Sequence, residues 1–269
     1  MALLIKNRFF SKLIFYFMLT YLLLLGYGLV YSDSLIFLPQ TPAYSWSSDL
    51  VHIKSQNSSK PATENTIVGH YLKHPKAKYT ILYSHGNAVD IGGLHHLQQN
   101  FFKHGYSIFI YDYSGYGLSE GEASEQQVYN DVQAVYDYLI NQQKLAPEQI
   151  ISYGHSLGAA IATNLAYKNS VAALVLENPF TTAFRVKTVY PLVPFDKFAS
   201  IDKIDKINSP VFITHSKDDQ VIPFWHSEEL FENAKQPKKS FWLETAGHSN
   251  ITHTKSFWPA LAEFVDAIN

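Results

Sequence analysis

The stretch Ile151–Ala166, "ISYGHSLGAAIATNLA", joins a β-strand pattern to a helix pattern through a serine that stands between two glycines. Its central residues Gly154-His155-Ser156-Leu157-Gly158 have the form G-x-S-x-G. At a strand–turn–helix join this spacing predicts a sharp turn that holds the serine hydroxyl clear of the sheet. The Leu157 N–H would lie at the helix N-terminus, where it can donate to a developing oxyanion. An ordinary turn is the alternative, but the flanking strand and helix patterns favour a nucleophile.

Strand and helix patterns alternate along the rest of the chain. The apolar runs that end in polar or Gly-rich residues are YTILYSHG, SIFIYDYSG, QIISYGHS, AALVLENP, PVFITHS and KSFWLETAGHS. Several lack the period of two that a half-exposed strand has, as expected for strands covered on both faces. Between two of these runs, one helix face is indicated by Val128, Val132, Val135, Tyr136 and Leu139. The alternation predicts an α/β fold with a mostly parallel central sheet and helices on both faces.

Composition limits the function classes. The 269 residues are 46% hydrophobic, which is enough for one large α/β core. The formal net charge is −2 and the basic residues are scattered, so nucleic acid is not an expected partner. The chain has no cysteine, which excludes disulfides, thiolate metal sites and a cysteine nucleophile.

The N-terminus contains a candidate membrane span. Leu13–Tyr31 has no charged residue and is just long enough to cross a bilayer as a helix. Lys6, Arg8 and Lys12 precede it and Asp33 follows it. This distribution predicts a single-pass anchor with a cytoplasmic N-terminus and the remainder of the chain on the non-cytoplasmic side.

A cleaved signal peptide is the alternative for this segment, with a secreted or periplasmic product. Small residues at Gly26 and Gly28 fit a cleavage site, whereas the many aromatic residues of the span favour an uncleaved anchor. The sequence thus divides into an anchor or signal peptide at 1–31, a connector with irregular strands at 32–65, and a catalytic domain at 66–269.

A serine nucleophile needs a base and a group that orients the base. After a G-x-S-x-G turn these partners are expected in the order acid, then histidine. Asp218 and Asp219 follow the strand pattern PVFITHS, and His248 follows the last strand pattern. A solvated turn and an exposed loop histidine are the structural alternatives. The occurrence of all three residue types at strand ends in this order favours a triad of Ser156, one of the two aspartates and His248.

These stretches resemble the α/β-hydrolase-fold serine hydrolases, and within them the membrane-anchored ABHD proteins and their bud-emergence-type relatives. The resemblance rests on YSHGNAVDIGG, YDYSGYGLSEGEASE, GHSLGAA, LENPFTT, HSKDDQVIP and GHSN. In the family the acid stretch reads H-G-x-x-D-x-x-V/I-P. Aligned on His215 and Pro223, this pattern implies that Asp219 is the acid and not Asp218. The chain departs from the family at Ser216, where glycine is usual.

The resemblance also assigns the stretch HGN. It implies that the backbone N–H of Asn87 joins that of Leu157 in an oxyanion hole, with Ala88 as the alternative donor and a simple turn as the structural alternative. His155 is assigned to packing. No cofactor is expected, and no metal site is indicated because the remaining histidines lack ligand spacing. Those considered are His85, His95, His96 and His104.

The predicted reaction is acyl transfer to water. His248 takes the proton of Ser156 as the serine attacks an ester or thioester carbonyl, and Asp219 orients the imidazole. The short segment between LENPFTT and INSPVFI leaves room only for a small lid around VYPLVPFDKF. The expected substrate is a small-molecule or lipid-like acyl compound, as for a carboxylesterase, lipase or thioesterase. A serine peptidase or amidase, or a catalytically silent membrane-tethered binding protein, is the alternative.

Overall fold

A computed structural model describes residues 2–268, with side chains described from Phe10 onward. The chain divides into two compact units, Met1–Leu38 and Pro39–Asn269. The side chains of Lys6 and Arg8, which enter the predicted membrane orientation, lie outside the described residues.

The first unit is one long helix, α1 (Ala2–Ile36). Its stretch Phe10–Ile36 has a mean hydropathy of 2.1 over its most apolar window and is long enough to cross a membrane. The helix continues past Tyr31, the predicted end of the span, and includes Asp33. Length and composition are compatible with an anchor and equally with a signal sequence.

The second unit is built on a sheet of eight strands, counted over the described residues. The strands are β1 (Leu50–Gln56), β2 (Glu64–Leu72), β3 (Thr80–Ser84), β4 (Ser107–Tyr111), β5 (Ile150–His155), β6 (Ala173–Glu177), β7 (Val211–Ser216) and β8 (Lys238–Leu243). Their order across the sheet is β1-β2-β4-β3-β5-β6-β7-β8. Strands β1 and β2 are antiparallel to their neighbours, and the strands from β4 to β8 are parallel.

The sheet begins upstream of residue 66, where the sequence places the start of the catalytic domain. Strand β1 pairs with β2 so that Ile53 lies opposite Ile67, and both side chains are buried. Strand β2 then pairs with β4. The segment predicted as a connector with irregular strands therefore supplies the regular edge strand β1 and the first residues of β2. Along β1 the buried residues alternate with exposed ones, as expected for a strand with one face on the core.

Helices cover both faces of the sheet, which confirms the predicted α/β architecture. They are α2 (His95–Lys103), α3 (Glu125–Asn141), α4 (Leu157–Lys168), α5 (Ile201–Ile204), α6 (Trp225–Asn233) and α7 (Phe257–Asp266). On one face, Phe101 of α2 and Leu261 of α7 share a buried cluster with Ile81 and Tyr83 of β3. On the other face α3 and α4 pack against each other and against the sheet.

Helix α3 shows how the sequence sets these positions. The Ser124 side chain accepts a hydrogen bond from the Gln127 N–H and so caps the first turn. The five residues that the sequence places on one helix face are all buried: Val128, Val132, Val135, Tyr136 and Leu139. The capped, amphipathic helix therefore lies with its apolar stripe on the core.

The carboxyl ends of the parallel strands lie at one edge of the sheet. Ser156 follows β5 directly, Asn178 follows β6 directly, and Asp219 comes three residues after the end of β7. His248 lies on the loop that follows β8. This is the edge at which open α/β sheets bind ligands. The segment between β6 and β7 holds only a short turn, Phe184–Val186, and α5, which fits the predicted minimal lid.

Candidate active site

Ser156 sits in a sharp turn between β5 and α4, with φ 56° and ψ −118°. This backbone conformation is unusual for any residue other than glycine. The two flanking glycines are required by close packing. A Cβ at Gly154 would lie 2.1 Å from the Gly158 carbonyl oxygen, and one at Gly158 would lie 2.0 Å from the Ser84 carbonyl oxygen. The turn is held to β6 because the Ser156 N–H donates to the Glu177 carbonyl at 2.9 Å.

The structure brings Ser156, His248 and Asp219 into one hydrogen-bonded chain. His248 Nε2 lies 3.0 Å from Ser156 Oγ, and His248 Nδ1 lies 2.7 Å from Asp219 Oδ2. An ionised carboxylate only accepts, so Nδ1 carries the proton and Nε2 is the acceptor for the serine hydroxyl. This is the arrangement in which an imidazole can remove the proton of a serine.

Asp219 is held in its ionised form. Burial raises its pKa, but the hydrogen bond from His248 and the N–H groups of Ile222 and Val221 outweigh burial, and the net pKa is lowered. The two amides donate to Oδ1 at 3.0 and 2.7 Å. Both carboxylate oxygens therefore have fixed partners, which leaves Oδ2 directed at the imidazole.

Asp218 has a separate set of contacts. Its Oδ1 accepts from Ser216 Oγ at 2.5 Å, from the Gly247 N–H at 2.8 Å and from the Ala246 N–H at 3.1 Å. The hydroxyl of Ser216, the residue that departs from the family pattern, also accepts from the Ala246 N–H at 2.7 Å. The pair Asp218 and Ser216 thus fixes the loop that leads into His248, and hydrogen bonds lower the pKa of Asp218.

His215 supports the turn that carries Asp219. Its Nε2–H donates to the Ile222 carbonyl at 3.0 Å, and its Nδ1 lies 2.6 Å from Ser227 Oγ. Its Nε2 is also 3.5 Å from Asp219 Oδ2. Burial lowers the pKa of His215 to about 4, so the ring is neutral near pH 7. It acts as a neutral donor beside the carboxylate.

The predicted oxyanion donors lie on two different elements. Asn87 follows β3, and its side-chain oxygen accepts from Tyr116 Oη at 2.6 Å and from the Ala88 N–H at 3.0 Å. The amide of Ala88, the alternative donor, is therefore held by the side chain of Asn87. Leu157 begins α4, where the first N–H groups of a helix have no acceptor within the helix.

Two residues that the sequence did not assign to the site contact His248. The His155 Nε2–H donates to the His248 carbonyl at 2.8 Å, and Asn178 Nδ2 donates to the same oxygen at 2.6 Å. The sequence assigns His155 to packing only. Asn178 could have been found because it is a polar residue that directly follows a buried strand at the ligand-binding edge.

His85, one of the histidines considered as metal ligands, packs against an aromatic ring. His85 stacks on Tyr113, with ring centroids 4.0 Å apart, and its Nε2 is 3.6 Å from Asp112 Oδ1. Between residues 2 and 268, no group of three or more His, Cys, Asp or Glu side chains is arranged to hold a metal ion.

The sequence is similar to known hydrolases. A family model described as serine aminopeptidase, S33 matches residues 75–200. Alpha/beta hydrolase domain-containing protein 17B of Homo sapiens is 41% identical over 202 residues, which cover 71% of this chain and 67% of that protein. The 17C protein of Mus musculus is 36% identical over 218 residues, which cover 77% of this chain and 66% of that protein.

Solved structures agree on the architecture. An esterase of Pyrococcus furiosus superposes with a TM-score of 0.67 at 15% identity, over 85% of this chain and 98% of that chain. An esterase of Exiguobacterium antarcticum superposes with a TM-score of 0.62 at 18% identity, over 81% and 100%. At these identities the likeness shows the fold, and the sequence relatives show the family. The chain belongs to the α/β-hydrolase family, as a hydrolase similar to the alpha/beta hydrolase domain-containing proteins 17.

Proposed function

We propose that this hydrolase uses Ser156 as a nucleophile to cleave an ester or thioester bond. The observation that carries the proposal is the hydrogen-bonded chain from Asp219 through His248 to Ser156 Oγ, placed on a strained turn at the ligand-binding edge of the sheet. A serine hydroxyl is a weak nucleophile, and an adjacent, oriented imidazole is the group that activates it.

The mechanism follows from this geometry. His248 Nε2 takes the hydroxyl proton of Ser156 as the oxygen attacks the acyl carbonyl, and the resulting imidazolium is stabilised by Asp219. The backbone N–H groups of Leu157 and Asn87 donate to the oxyanion, where each donor contributes about 3–4 kcal/mol to the transition state. The protonated imidazole then gives its proton to the leaving alcohol or thiol, and water hydrolyses the acyl-enzyme by the same steps.

A lipid-like acyl substrate is supported by the loop between β6 and β7. The loop leaves the sheet at the carboxyl edge and is closed at its base, where the Phe184 N–H donates to Asp196 Oδ1 at 2.8 Å. Its outer part exposes apolar side chains at Val189 (64%), Tyr190 (76%) and Leu192 (65%). Exposed apolar side chains on a loop that leaves this edge of the sheet favour contact with an acyl chain or a lipid surface.

A serine peptidase or amidase is the second candidate, because the matching family model is described as a serine aminopeptidase. The same nucleophile, base and acid also cleave amides. Ester or thioester cleavage stays our first proposal, and amide cleavage is the alternative that the substrate series below tests.

We also propose that α1 anchors the protein in a membrane. The helix contains the 27-residue candidate span Phe10–Ile36, in which Leu, Ile, Phe and Val side chains each favour insertion by a few tenths of a kcal/mol. The basic residues before the span favour an N-terminus on the cytoplasmic side and a catalytic domain on the non-cytoplasmic side. The alternative is signal cleavage and export.

The test of the catalytic proposal is active-site labelling. We expect a fluorophosphonate probe to label the wild-type protein and not Ser156→Ala, which removes only the hydroxyl oxygen. A chain-length series of p-nitrophenyl esters, measured beside aminoacyl p-nitroanilides, separates esterase from peptidase activity. Full turnover by Ser156→Ala would refute the mechanism. An unlabelled and inactive wild-type protein would favour a silent, membrane-tethered binding protein.

A further inference from the structure

His248 is the least supported member of the hydrogen-bonded triad. It lies on an irregular loop between β8 and the short turn Ile251–His253, and Gly247 before it has a φ of 61°. By contrast, Ser156 is fixed by a strand and a helix. The position of the imidazole must therefore come from contacts that the rest of the domain makes with this loop.

We propose that His155 and Asn178 are positioning residues that together hold the backbone carbonyl of His248, a pair of contacts named here the carbonyl clamp. His155 Nε2 is 2.8 Å and Asn178 Nδ2 is 2.6 Å from the His248 carbonyl oxygen. The two donors come from the ends of neighbouring strands, β5 and β6. This inference rests on the proposed catalytic role of His248 and assigns the residues that keep its ring in reach of Ser156.

The chemistry of the contacts fixes the state of His155. A carbonyl oxygen only accepts, so the proton of a neutral His155 is on Nε2 and its Nδ1 is unprotonated. Burial lowers the pKa of this ring, which keeps it neutral. On the Nδ1 side the ring packs on Gly86, where a Cβ would lie 2.8 Å from Nδ1. One side chain thus packs under the predicted oxyanion loop and also holds the loop of the base.

Asn178 is fixed at both ends of its amide. Its Oδ1 accepts from the Ser216 N–H at 3.1 Å, and its Nδ2 donates to the His248 carbonyl at 2.6 Å. The backbone N–H of Asn178 donates to the Thr214 carbonyl at 2.9 Å. Because Ser216 N–H only donates and the His248 carbonyl only accepts, the amide has one possible orientation. Its φ of 45° is in the left-handed region, which asparagine tolerates better than most residues. The Asn178 amide therefore links the end of β7 to the loop of His248.

The loop that carries His248 is also held from its other side. Asp218 accepts from the N–H groups of Gly247 and Ala246, directly before His248. The loop is therefore fixed by an acceptor on its amides and by two donors on its carbonyl. With the donors removed, the peptide after His248 can rotate, and the 3.0 Å separation of His248 Nε2 and Ser156 Oγ is no longer enforced.

Two variants, His155→Phe and Asn178→Asp, each remove one of the two donors to the His248 carbonyl. His155→Phe keeps an aromatic ring over Gly86 without a donor, and His155→Gln restores an N–H of similar reach. Asn178→Asp keeps the acceptor for Ser216 and tolerance of the left-handed backbone, but replaces the donor by an acceptor. The control is Ser152→Ala on the same strand β5, which removes a buried hydrogen bond to the Ala162 carbonyl.

Two readouts are made on the full-length protein. The first is kcat and KM for a p-nitrophenyl ester. The second is amide hydrogen exchange of residues 244–250, followed by mass spectrometry, which does not depend on activity. We expect kcat to fall about 10- to 100-fold in His155→Phe and Asn178→Asp with KM within about threefold, because misplacing a catalytic group by about 1 Å has an effect of this size. Exchange of the loop should be faster in both variants, and His155→Gln should recover most of kcat.

The outcomes separate the clamp from the proposed function. Faster loop exchange in both variants, together with an inactive wild-type protein, would support the clamp and refute the serine-hydrolase function. Exchange and kcat no different from those of Ser152→Ala would overturn the clamp while the function stands. A parallel loss of thermal stability and kcat that His155→Gln does not restore would assign the two residues a purely structural role and would also overturn it.

Discussion

The substitutions Asp219→Asn and Asp218→Asn form a matched pair that tests the acid. Each removes one negative charge with little change in shape, at adjacent positions. In Asp219→Asn the amide oxygen can keep the backbone N–H groups that Oδ1 now binds, so the new NH₂ group faces His248 Nδ1. Two donors cannot pair, and the imidazole proton must move to Nε2. There it faces Ser156 Oγ, and the ring can no longer accept the hydroxyl proton.

The size of the effect follows from this change of tautomer. In the Ser-His-Asp template the same substitution lowers kcat about 10⁴-fold, which corresponds to about 5 kcal/mol of transition-state stabilisation. Substrate binding does not use the acid, so KM should change little. Asp218→Asn keeps an oxygen for the Gly247 and Ala246 N–H groups. We therefore expect it to lower kcat less than about tenfold.

The assay is steady-state hydrolysis of a p-nitrophenyl ester, with thermal unfolding of each variant as the control for folding. The two proteins should unfold at similar temperatures and differ in kcat by about three orders of magnitude or more. A larger loss in Asp218→Asn than in Asp219→Asn would refute the assignment of the acid. Wild-type kcat in Asp219→Asn would refute the orienting role itself.

Three further outcomes are expected. Gly158→Ala places a methyl group 2.0 Å from the Ser84 carbonyl oxygen. Urea denaturation should therefore show a free energy of unfolding lower by about 1–3 kcal/mol or more. An unchanged urea midpoint would contradict the close packing at this glycine. Burial lowers the pKa of His226 to about 4 in the folded protein. As the pH falls, the unfolded chain therefore binds the proton first, and the free energy of unfolding should decrease between about pH 6.5 and pH 4. This decrease should be less steep in His226→Asn. With the helix at Phe10–Ile36 as an anchor, the protein should stay in the membrane fraction on carbonate extraction and keep its N-terminus. A soluble form that begins near Leu29 would instead identify a signal peptide. Protease digestion of the catalytic domain only from the cytoplasmic side would refute the orientation.

The fold was predictable because its strands are buried on both faces and therefore read as apolar runs. The alternation of those runs with helix patterns gave the parallel part of the sheet, and the Ser156 turn was visible from its two glycines. The hairpin of β1 and β2 was harder to recognise. Its strands flank a polar turn, and their place in the sheet depends on the pairing of β2 with β4, a contact between distant parts of the chain.

Within the site, the residue types were readable and their contacts were not. The order of residues at the strand ends left Asp218 and Asp219 equivalent, because adjacent residues in a turn can point either way, and the family resemblance then implied Asp219. The contacts of Asp218 were not predictable, because they depend on the path of the loop before His248, which places the Ala246 and Gly247 N–H groups on Asp218. The contacts of His155 and Asn178 depend in the same way on a backbone carbonyl, which no side-chain pattern reveals.

The site combines parts of unequal rigidity, and this determines where substitutions act. Ser156 is fixed by backbone packing at Gly154 and Gly158, so changes there should affect folding together with activity. Asp219 is fixed by two amides of its own turn. His248 depends on side chains from three other segments, because its loop has no regular structure. Misplacement of the His248 ring without loss of the fold should therefore result from substitutions of His155 and Asn178, at the ends of β5 and β6.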